Sequence, residues 1–171
     1  MKTRMLEKED AEIYQNLRLR SLQEHPEAFG ASFTEEAETV LEEIGQQLTA
    51  GLPDNGMMGI FLKDELVGIT SINRHPRPKT QHRAYLGAMY VLPEYRGQGL
   101  ARFLLRDALD YIKTRPGVED VVLAVTAGNS AARKIYVDMG FKTWGIDPRY
   151  LKIGDTYYDI EWMILSLHEN V

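Results

Sequence analysis

The sequence predicts a mixed α/β fold, in which a sheet carries helices on both faces. Short runs rich in β-branched and aromatic residues alternate along the chain with longer stretches whose apolar residues recur every three or four positions. With 171 residues, 44% of them hydrophobic and 26% charged, the chain has enough apolar material for one ordinary core. No repeat, low-complexity tract or linker interrupts it. We therefore expect a single domain over residues 1–171.

The N-terminal segment is predicted to form a strand and then a helix. Residues 3–6 have a strand pattern, and Asp10 follows as a candidate helix cap. The apolar residues of this helix that are expected to face the core are Ile13, Leu17 and Leu22. The proline-containing segment 25–30 ends the helix.

A second helix is predicted between Ser32 and Gly51. Ser32 and Glu35 have the spacing of a capping box, in which the two residues satisfy each other's backbone N–H groups. The apolar residues that then recur at helical spacing are Ala37, Leu41, Ile44 and Leu48. Gly51 fits the usual glycine stop.

The rest of the chain is predicted to alternate strands with two more helices. The predicted elements are strands over 57–62, 66–72 and 82–91, a helix over 100–114, a strand over 121–125, a helix over 130–139, and a hairpin from 141 that turns at 154–155. The valine-rich strand over 121–125 is typical of a strand in the interior of a sheet. The predicted order is β-α-α-β-β-β-α-β-α-β-β.

Composition excludes several classes of function. The net charge of −5 argues against a general nucleic-acid binder, and the absence of cysteine excludes disulfides, thiolate metal sites and a covalent cysteine intermediate. The four histidines are scattered without clustered carboxylates, so no metal site is expected. No apolar segment resembles a signal peptide or spans a bilayer, so we expect a cytoplasmic protein that does not bind membranes.

Charge is divided unevenly between two parts of the chain. Residues 1–60 hold 12 acidic and 5 basic side chains, a net charge of −7. Residues 61–171 hold 13 acidic and 15 basic side chains, a net charge of +2. A polyanionic ligand is favoured by the second part and a cationic ligand by the first.

A glycine-bearing turn joins the strand over 82–91 to the helix that follows. Gly97 and Gly99 let a ligand approach the backbone, and the free N–H groups at the start of the helix favour phosphate. Arg96 and Arg102 add positive charge. A Rossmann fingerprint needs a third glycine where Arg102 stands, and a P-loop needs Gly-Lys-Ser/Thr, so neither fits. On these residues alone, a phosphate site and an ordinary turn both remain open.

Three segments resemble the GCN5-related N-acetyltransferase (GNAT) family, in the order that the family shows. Arg96-Gly97-Gln98-Gly99-Leu100-Ala101 matches its Arg/Gln-x-x-Gly-x-Gly/Ala signature. The segment from Asn129 to Phe141 is similar to its Asn-x-x-Ala-x-x-x-Tyr-x-x-x-Gly-Phe pattern, and Tyr157-Tyr158-Asp159 resembles its last-strand motif. The resemblance covers about residues 80–165. It implies a mixed, mostly antiparallel sheet and acetyl-CoA as the co-substrate.

The resemblance also implies where acetyl-CoA binds. In the family, the strand that corresponds to Tyr85–Val91 splays from the strand that corresponds to Val121–Val125, and the pantetheine arm enters the gap like an added strand. The residues implied as its binding site are Met89 and Val91 through their backbone, Arg96, Gly97, Gln98, Gly99, Leu100, Ala101 and Arg102 around the pyrophosphate, and Asn129. Asn129 has a second interpretation as the cap of the next helix.

Tyr136 corresponds to the tyrosine that, in many family members, protonates the departing CoA thiolate. A neutral phenol still holds its proton when a thiolate must be quenched, so the role is chemically sound. The alternative is a core aromatic, since Ala132 and Met139 flank Tyr136 at helical spacing.

The sequence does not assign a general base. Many relatives place a glutamate on the strand that corresponds to Tyr85–Val91, and this stretch contains no carboxylate. A water chain that ends at Glu35, Glu161 or a backbone carbonyl is one route for the ammonium proton. The preferred interpretation of Glu35 is the capping box.

We expect direct transfer of acetyl to a primary amine in a ternary complex. The acceptor is expected to be a cationic small molecule, because the acidic residues 1–60 border the region where relatives bind their acceptor. Tyr14, Phe29 and Phe33 either line that pocket or belong to the core. Two other functions stay open: an acyl-CoA-binding or sensing module, and an acetyltransferase of protein N-termini or lysines. The edges of the last hairpin are compatible with a homodimer.

Overall fold

The computed structural model describes residues 1–168, which contain seven strands and five helices. In chain order these are β1 (Lys2–Met5), α1 (Ala11–Glu24), α2 (Phe33–Ala37), α3 (Leu41–Ala50), β2 (Gly56–Leu62), β3 (Glu65–Arg74), β4 (Arg83–Val91), α4 (Leu100–Lys113), β5 (Asp120–Thr126), α5 (Ser130–Asp138), β6 (Lys142–Ile153) and β7 (Thr156–Ser166). Single 3-10 turns occur at Lys8–Asp10, Pro26–Ala28 and Pro93–Tyr95.

The seven strands form one sheet in the order β1-β2-β3-β4-β5-β7-β6. Only the β4–β5 pair is parallel among the described strands, and every other neighbouring pair is antiparallel. The prediction of a mixed, mostly antiparallel sheet is therefore confirmed. The strand predicted over 121–125 lies inside the sheet, between β4 and β7.

Helices pack on both faces of this sheet. Successive residues of a strand point to opposite faces. On β1, Thr3 donates a hydrogen bond to Asp107 of α4 over 2.6 Å, whereas Arg4 forms a salt bridge of 2.5 Å with Asp10, directly before α1. Helix α4 therefore covers one face, here called the α4 face, and α1 covers the other, the α1 face. Helix α3 contacts α1 and lies on the same side.

The single helix predicted between Ser32 and Gly51 was wrong, because the structure divides it into α2 and α3. The capping box is present: the Glu35 N–H donates to Ser32 Oγ over 3.3 Å, and the Ser32 N–H donates to Glu35 Oε2 over 2.7 Å. The helix then stops, and Val40 is extended with φ −75° and ψ 149°. Thr39 and Val40 are β-branched and stiff, which weakens a helix at this point. The element order therefore contains one helix more than predicted.

The prediction that Asp10 caps α1 was also wrong. The 3-10 turn runs directly into α1, so Asp10 has φ −84° and ψ 0° rather than the extended conformation of a cap. Its carboxylate instead accepts hydrogen bonds from Arg4 and from the Glu7 N–H. Of the residues expected to face the core, Leu17 and Leu22 are buried and Ile13 is 41% exposed.

Replacing Asp10 tests how much this contact stabilises the fold. Asp10→Ala should reduce the free energy of unfolding by roughly 1–3 kcal/mol, because the Arg4 guanidinium and the Glu7 N–H lose a partly buried acceptor. The Arg4 hydrogen bonds lower the pKa of the Asp10 carboxyl. Its contribution is therefore present above the unfolded-state pKa of about 4 and is lost as pH falls below it. Thermal denaturation at several pH values should show the two melting temperatures converging below about pH 4.

An exposed ion pair is the control for that measurement. Asp110 pairs with Lys113 over 3.2 Å, and both side chains are more than half exposed. Asp110→Ala should change stability by at most about 0.5 kcal/mol. Equal losses in the two variants would contradict the special role of Asp10.

None of the helices over residues 1–168 has the length and apolar character needed to cross a membrane.

Candidate functional site

Strands β4 and β5 separate halfway along their length. They pair only from Arg83 with Asp120 to Leu86 with Leu123, although β4 continues to Val91 and β5 to Thr126. Ala88 has φ 48°, in the left-handed region, and the pairing of β3 with β4 shifts register nearby. This bulge bends β4. Backbone groups of β4 beyond Leu86 therefore face a gap instead of β5, and an extended amide chain can satisfy them.

Two cavities meet at this gap. A wide cavity of about 430 Å³ extends from the gap to the start of α4, and a narrow cavity of about 60 Å³ lies between the separated ends of β4 and β5. The residues that line both are Ala28, Met89, Asn129, Ala132 and Tyr136. A ligand that extends along the wide cavity therefore reaches the narrow one beside Met89 and Tyr136.

The far end of the wide cavity is the turn before α4. Gly97 and Gly99 have φ of 77° and 78°, a conformation that favours glycine. A Cβ atom at either position would meet nothing within 4 Å, so both glycines face open space. Gly99 is the N-cap of α4 and provides no side-chain cap. The turn thus presents N–H groups and the positive end of the helix dipole, which suits a pyrophosphate.

The two arginines of this region differ in how they are held. The Arg96 Nε–H donates to the Val91 carbonyl over 2.9 Å, and its guanidinium lies 5.5 Å from the centre of the Tyr90 ring. Arg102 is already paired with Asp138 over 2.6 Å, which partly offsets its charge. Arg96 is therefore the more available cation for an anionic ligand.

Asn129 lies where α5 begins and lines both cavities. Its side-chain oxygen accepts a hydrogen bond from the Ala132 N–H over 3.1 Å, so its predicted capping role is confirmed. The Asn129 amide nitrogen does not take part in that bond and remains available to a ligand.

Tyr136 lies at the junction of the cavities and is 7% exposed. Its hydroxyl donates to the thioether sulfur of Met89 over 3.7 Å, and its ring packs edge to face on Phe141. Burial raises the pKa of Tyr136 to about 12. The phenol is therefore protonated throughout the neutral range, and its proton is directed at a sulfur atom.

The wide cavity is lined by nearly all of the predicted site residues. The predicted residues found there are Met89, Val91, Arg96, Gly97, Gly99, Leu100, Ala101, Arg102, Asn129 and Tyr136, and Gln98 is absent. The lining residues not predicted for it are His25, Ala28, Phe29, Tyr90, Tyr95, Ala131, Ala132 and Ile135. Helical spacing from Tyr136 indicates Ala132. No sequence pattern pointed to His25 and Ala28 as lining residues. The turn that carries them is held in place by a long-range hydrogen bond, which the Thr126 hydroxyl donates to the Glu27 carbonyl.

The two carboxylates considered as bases lie outside both cavities. Glu35 is held in the capping box, which confirms the preferred interpretation. Glu161 is bonded to Thr143 and Arg133, and these contacts, the Thr143 hydrogen bond first, lower the pKa of its carboxyl. Within residues 1–168, no aspartate or glutamate lines either cavity, and no group of three potential metal ligands occurs.

The three aromatic residues considered for an acceptor pocket are dispersed. Phe29 lines the wide cavity, whereas Phe33 is 37% exposed. Tyr14 lines a third cavity of about 170 Å³ beneath α1 and α3, together with Ser71 and Asn73 of β3. Because this third cavity lies beneath α1 and α3, Ser71 and Asn73 lie on the α1 face.

Comparisons with known proteins identify a family and several relatives of this chain. Residues 18–141 match the family described as Acetyltransferase (GNAT) family. The chain is 35% identical over 102 residues to the N-alpha-acetyltransferase RimI of Mycobacterium tuberculosis, over 59% of this chain and 61% of that protein. It is 38% identical over 68 residues to the mycothiol acetyltransferase of Thermobispora bispora, over 38% of this chain and 23% of that protein. The match thus spans less than two thirds of the length of each of these relatives.

The fold is similar to that of a solved acetyltransferase of GNAT family from Streptococcus pneumoniae. The TM-score is 0.84 at 22% identity, over 97% of this chain and 99% of that one. At this identity the similarity concerns the fold.

Proposed function

The chain belongs to the GNAT acetyltransferase family, and we propose that it transfers an acetyl group from acetyl-CoA to the amine of a small-molecule or peptide acceptor. The observation that carries the proposal is the meeting of the two cavities at Met89 and Tyr136. One cavity suits a long anionic donor, and the other opens beside the place where its acyl end would lie. Acetyl-CoA supplies a thioester, whose carbonyl carbon is attacked by an amine.

The residues of the wide cavity fit acetyl-CoA. Gly97 and Gly99 leave space for the pyrophosphate in front of the N–H groups of α4, and Arg96 adds positive charge. The unpaired edge of β4 near Met89 and Val91 fits the two amides of the pantetheine arm. We propose the Gln98 N–H as a further pyrophosphate contact because it lies between Gly97 and Gly99 in the turn, although Gln98 itself does not line the cavity.

Direct attack by the amine is the proposed route, and Tyr136 is its proposed acid. As the new C–N bond forms and the C–S bond breaks, the Tyr136 hydroxyl gives its proton to the sulfur that leaves. The hydroxyl already points at the Met89 thioether, and a thiolate is a far stronger acceptor than a thioether. The ammonium proton leaves through water, because no carboxylate among the described residues lines either cavity.

Release of free CoA tests the activity. The protein and acetyl-CoA are mixed with panels of polyamines, amino acids, aminoglycosides and peptides with free N-termini, and free thiol is measured. We expect free CoA to be released only when an acceptor is present. Mass spectrometry should show an acceptor about 42 Da heavier, because an acetyl group has replaced one hydrogen atom. Binding of acetyl-CoA without release for any acceptor would contradict catalysis and support a sensing module.

We further propose that the preferred acceptor is cationic, and salt tests this. Ion pairs within the chain offset part of the negative charge of residues 1–60, since Glu36 pairs with Arg18 and Glu42 pairs with Lys8. Glu38 and Glu43 keep negative charge exposed beside α3. Raising salt from 0.1 M to 1 M shortens the screening length from about 10 Å to about 3 Å, so KM for a cationic acceptor should rise. A salt-independent kcat/KM, or a best acceptor with net negative charge, would contradict steering.

A further inference from the structure

Three aromatic rings form a cluster on the last hairpin. The ring centre of Trp162 lies 6.2 Å from that of Trp144, at an interplanar angle of 35°, and 6.2 Å from that of Tyr150, at 88°. Trp144 and Tyr150 are more than half exposed. The exposed ring of Tyr150 therefore stands at a right angle to Trp162, which is itself half-buried. We call this cluster (Trp144, Tyr150 and Trp162) the aromatic corner.

Irregularities of β6 bring both outer rings onto Trp162. Trp144 stands at a register shift between Thr143 and Gly145, and Tyr150 lies within a second shift, between Asp147 and Leu151. Arg149, inside that second shift, has φ 57° although it is not glycine. Bulges re-aim side chains, and the left-handed region is unfavourable for a non-glycine residue. Such strain is typical of functional surfaces.

The aromatic corner lies on the α1 face, beside the narrow cavity. Directly paired residues of neighbouring strands point to the same face of a sheet. Asn73 pairs with Tyr85, and Tyr85 pairs with Val122, so all three lie on the α1 face. Ala124, two residues after Val122, shares that face and pairs with Trp162. Paired residues have Cβ atoms about 5 Å apart. Since Ala124 lines the narrow cavity, the aromatic corner begins one side chain away from it.

The charges around the aromatic corner favour a cation. Asp147 pairs with Ile160, two residues from Trp162, so it lies on the same face. Asp147 is half-buried and takes part in no salt bridge or side-chain hydrogen bond within residues 1–168. Two of the three basic side chains of the hairpin are directed elsewhere, since Arg149 and Lys152 lie over the Tyr157 ring, at 3.9 and 5.4 Å. The third, the exposed Lys142, pairs with Ile164 and lies on the same face, beyond Trp144. Tyr157 is five positions from Trp162 and points to the opposite face.

We infer that the aromatic corner binds a second cationic centre of the acceptor, an ammonium or guanidinium group carried at a distance from the amine that is acetylated. Aromatic faces attract cations, tryptophan most strongly, and Asp147 adds a negative charge nearby. The inference rests on the proposed acetyltransferase function. It assigns the acceptor to the class of diamines, polyamines and basic side chains, and it makes Trp144, Tyr150, Trp162 and Asp147 the residues that determine specificity.

Tryptophan fluorescence tests the binding of a cation directly. Both tryptophans of the chain belong to the aromatic corner, so the emission reports on it alone. Tetramethylammonium chloride, which is not an acceptor, should change the emission saturably, whereas sodium chloride at equal ionic strength should not. Tyr150→Leu should weaken this binding by about twofold to thirtyfold, and Tyr150→Phe should retain it because the π-face remains. A titration indistinguishable from sodium chloride would overturn the inference.

Kinetics tests the role in specificity. The ratio of kcat/KM for 1,5-diaminopentane to that for n-pentylamine should exceed one and should fall by about twofold to thirtyfold in Tyr150→Leu. Ile146→Ala, which removes an exposed apolar side chain of the same strand from the opposite face, is the control and should leave the ratio unchanged. An unchanged ratio in Tyr150→Leu, or a preference for 2-phenylethylamine over the diamine, would overturn the inference. Saturable tetramethylammonium binding without turnover of any amine would retain the cation site and contradict the proposed activity.

Discussion

Tyr136→Phe should lower kcat by about 10²-fold to 10⁴-fold and leave the affinity for acetyl-CoA nearly unchanged. The substitution removes one oxygen atom, and the ring keeps its packing on Phe141. The lost proton matters only when the thiolate leaves, so the interaction is made in the transition state and not in the bound complex. Steady-state kinetics with the best acceptor and calorimetry with acetyl-CoA measure the two effects separately.

Tyr90→Phe is the matched control for that variant. Tyr90 is also buried and lines the wide cavity, but its hydroxyl donates to Glu24 over 2.5 Å and does not line the narrow cavity. We expect its kcat to stay within about tenfold of the wild type, a much smaller change than loss of a general acid. Wild-type turnover by Tyr136→Phe would make Tyr136 a packing residue, and equal losses in both variants would indicate general damage to the cavity.

The pH dependence gives a further readout of the same hypothesis. Burial raises the pKa of Tyr136 to about 12, above the ordinary value near 10. The acid thus stays protonated as pH rises, so kcat should show no loss assignable to Tyr136 below about pH 10. An alkaline limb near pH 8 that disappears in Tyr136→Phe would contradict this assignment.

Local chemistry explains which parts of the fold were predictable. The capping box, the glycine turn and the Asn129 cap each depend on residues within four positions of one another, and all three are present in the structure. The division of the second helix was missed because apolar spacing continued through Thr39 and Val40, where the backbone becomes extended. Periodicity does not report such a break when the apolar residues before and after it remain in phase.

Long-range contacts explain what the sequence did not predict. The aromatic corner depends on two register shifts in β6 and on pairing between residues up to 18 positions apart, and neither has a short sequence signature. The turn over the cavity is joined to Thr126, which lies 99 positions from Glu27. The general base could not be predicted from the sequence either. Glu161 was a candidate on sequence grounds, and only the fold shows that Arg133 and Thr143 bind its carboxylate. Such contacts follow from the tertiary fold and not from spacing.

Gly99→Glu should abolish measurable binding of acetyl-CoA while the chain remains folded. A carboxylate about 4 Å from a pyrophosphate charge costs about 4 kcal/mol at an effective dielectric of 20, which corresponds to about 10³-fold in affinity. The side chain would also occupy the open space in front of α4. Calorimetry with acetyl-CoA measures the affinity, and thermal denaturation measures the fold.

Two matched variants separate charge at the site from backbone strain. Gly154, in the turn between β6 and β7, also has positive φ, at 57°, and open space around its Cβ position. Gly154→Glu should therefore lower the melting temperature about as much as Gly99→Glu does, because either glutamate must adopt a left-handed conformation, yet it should bind acetyl-CoA normally. Gly99→Ala, which adds strain without charge, should retain most of the affinity. If Gly99→Glu is folded and binds acetyl-CoA as tightly as Gly154→Glu does, the turn from Arg96 to Ala101 is not the pyrophosphate site.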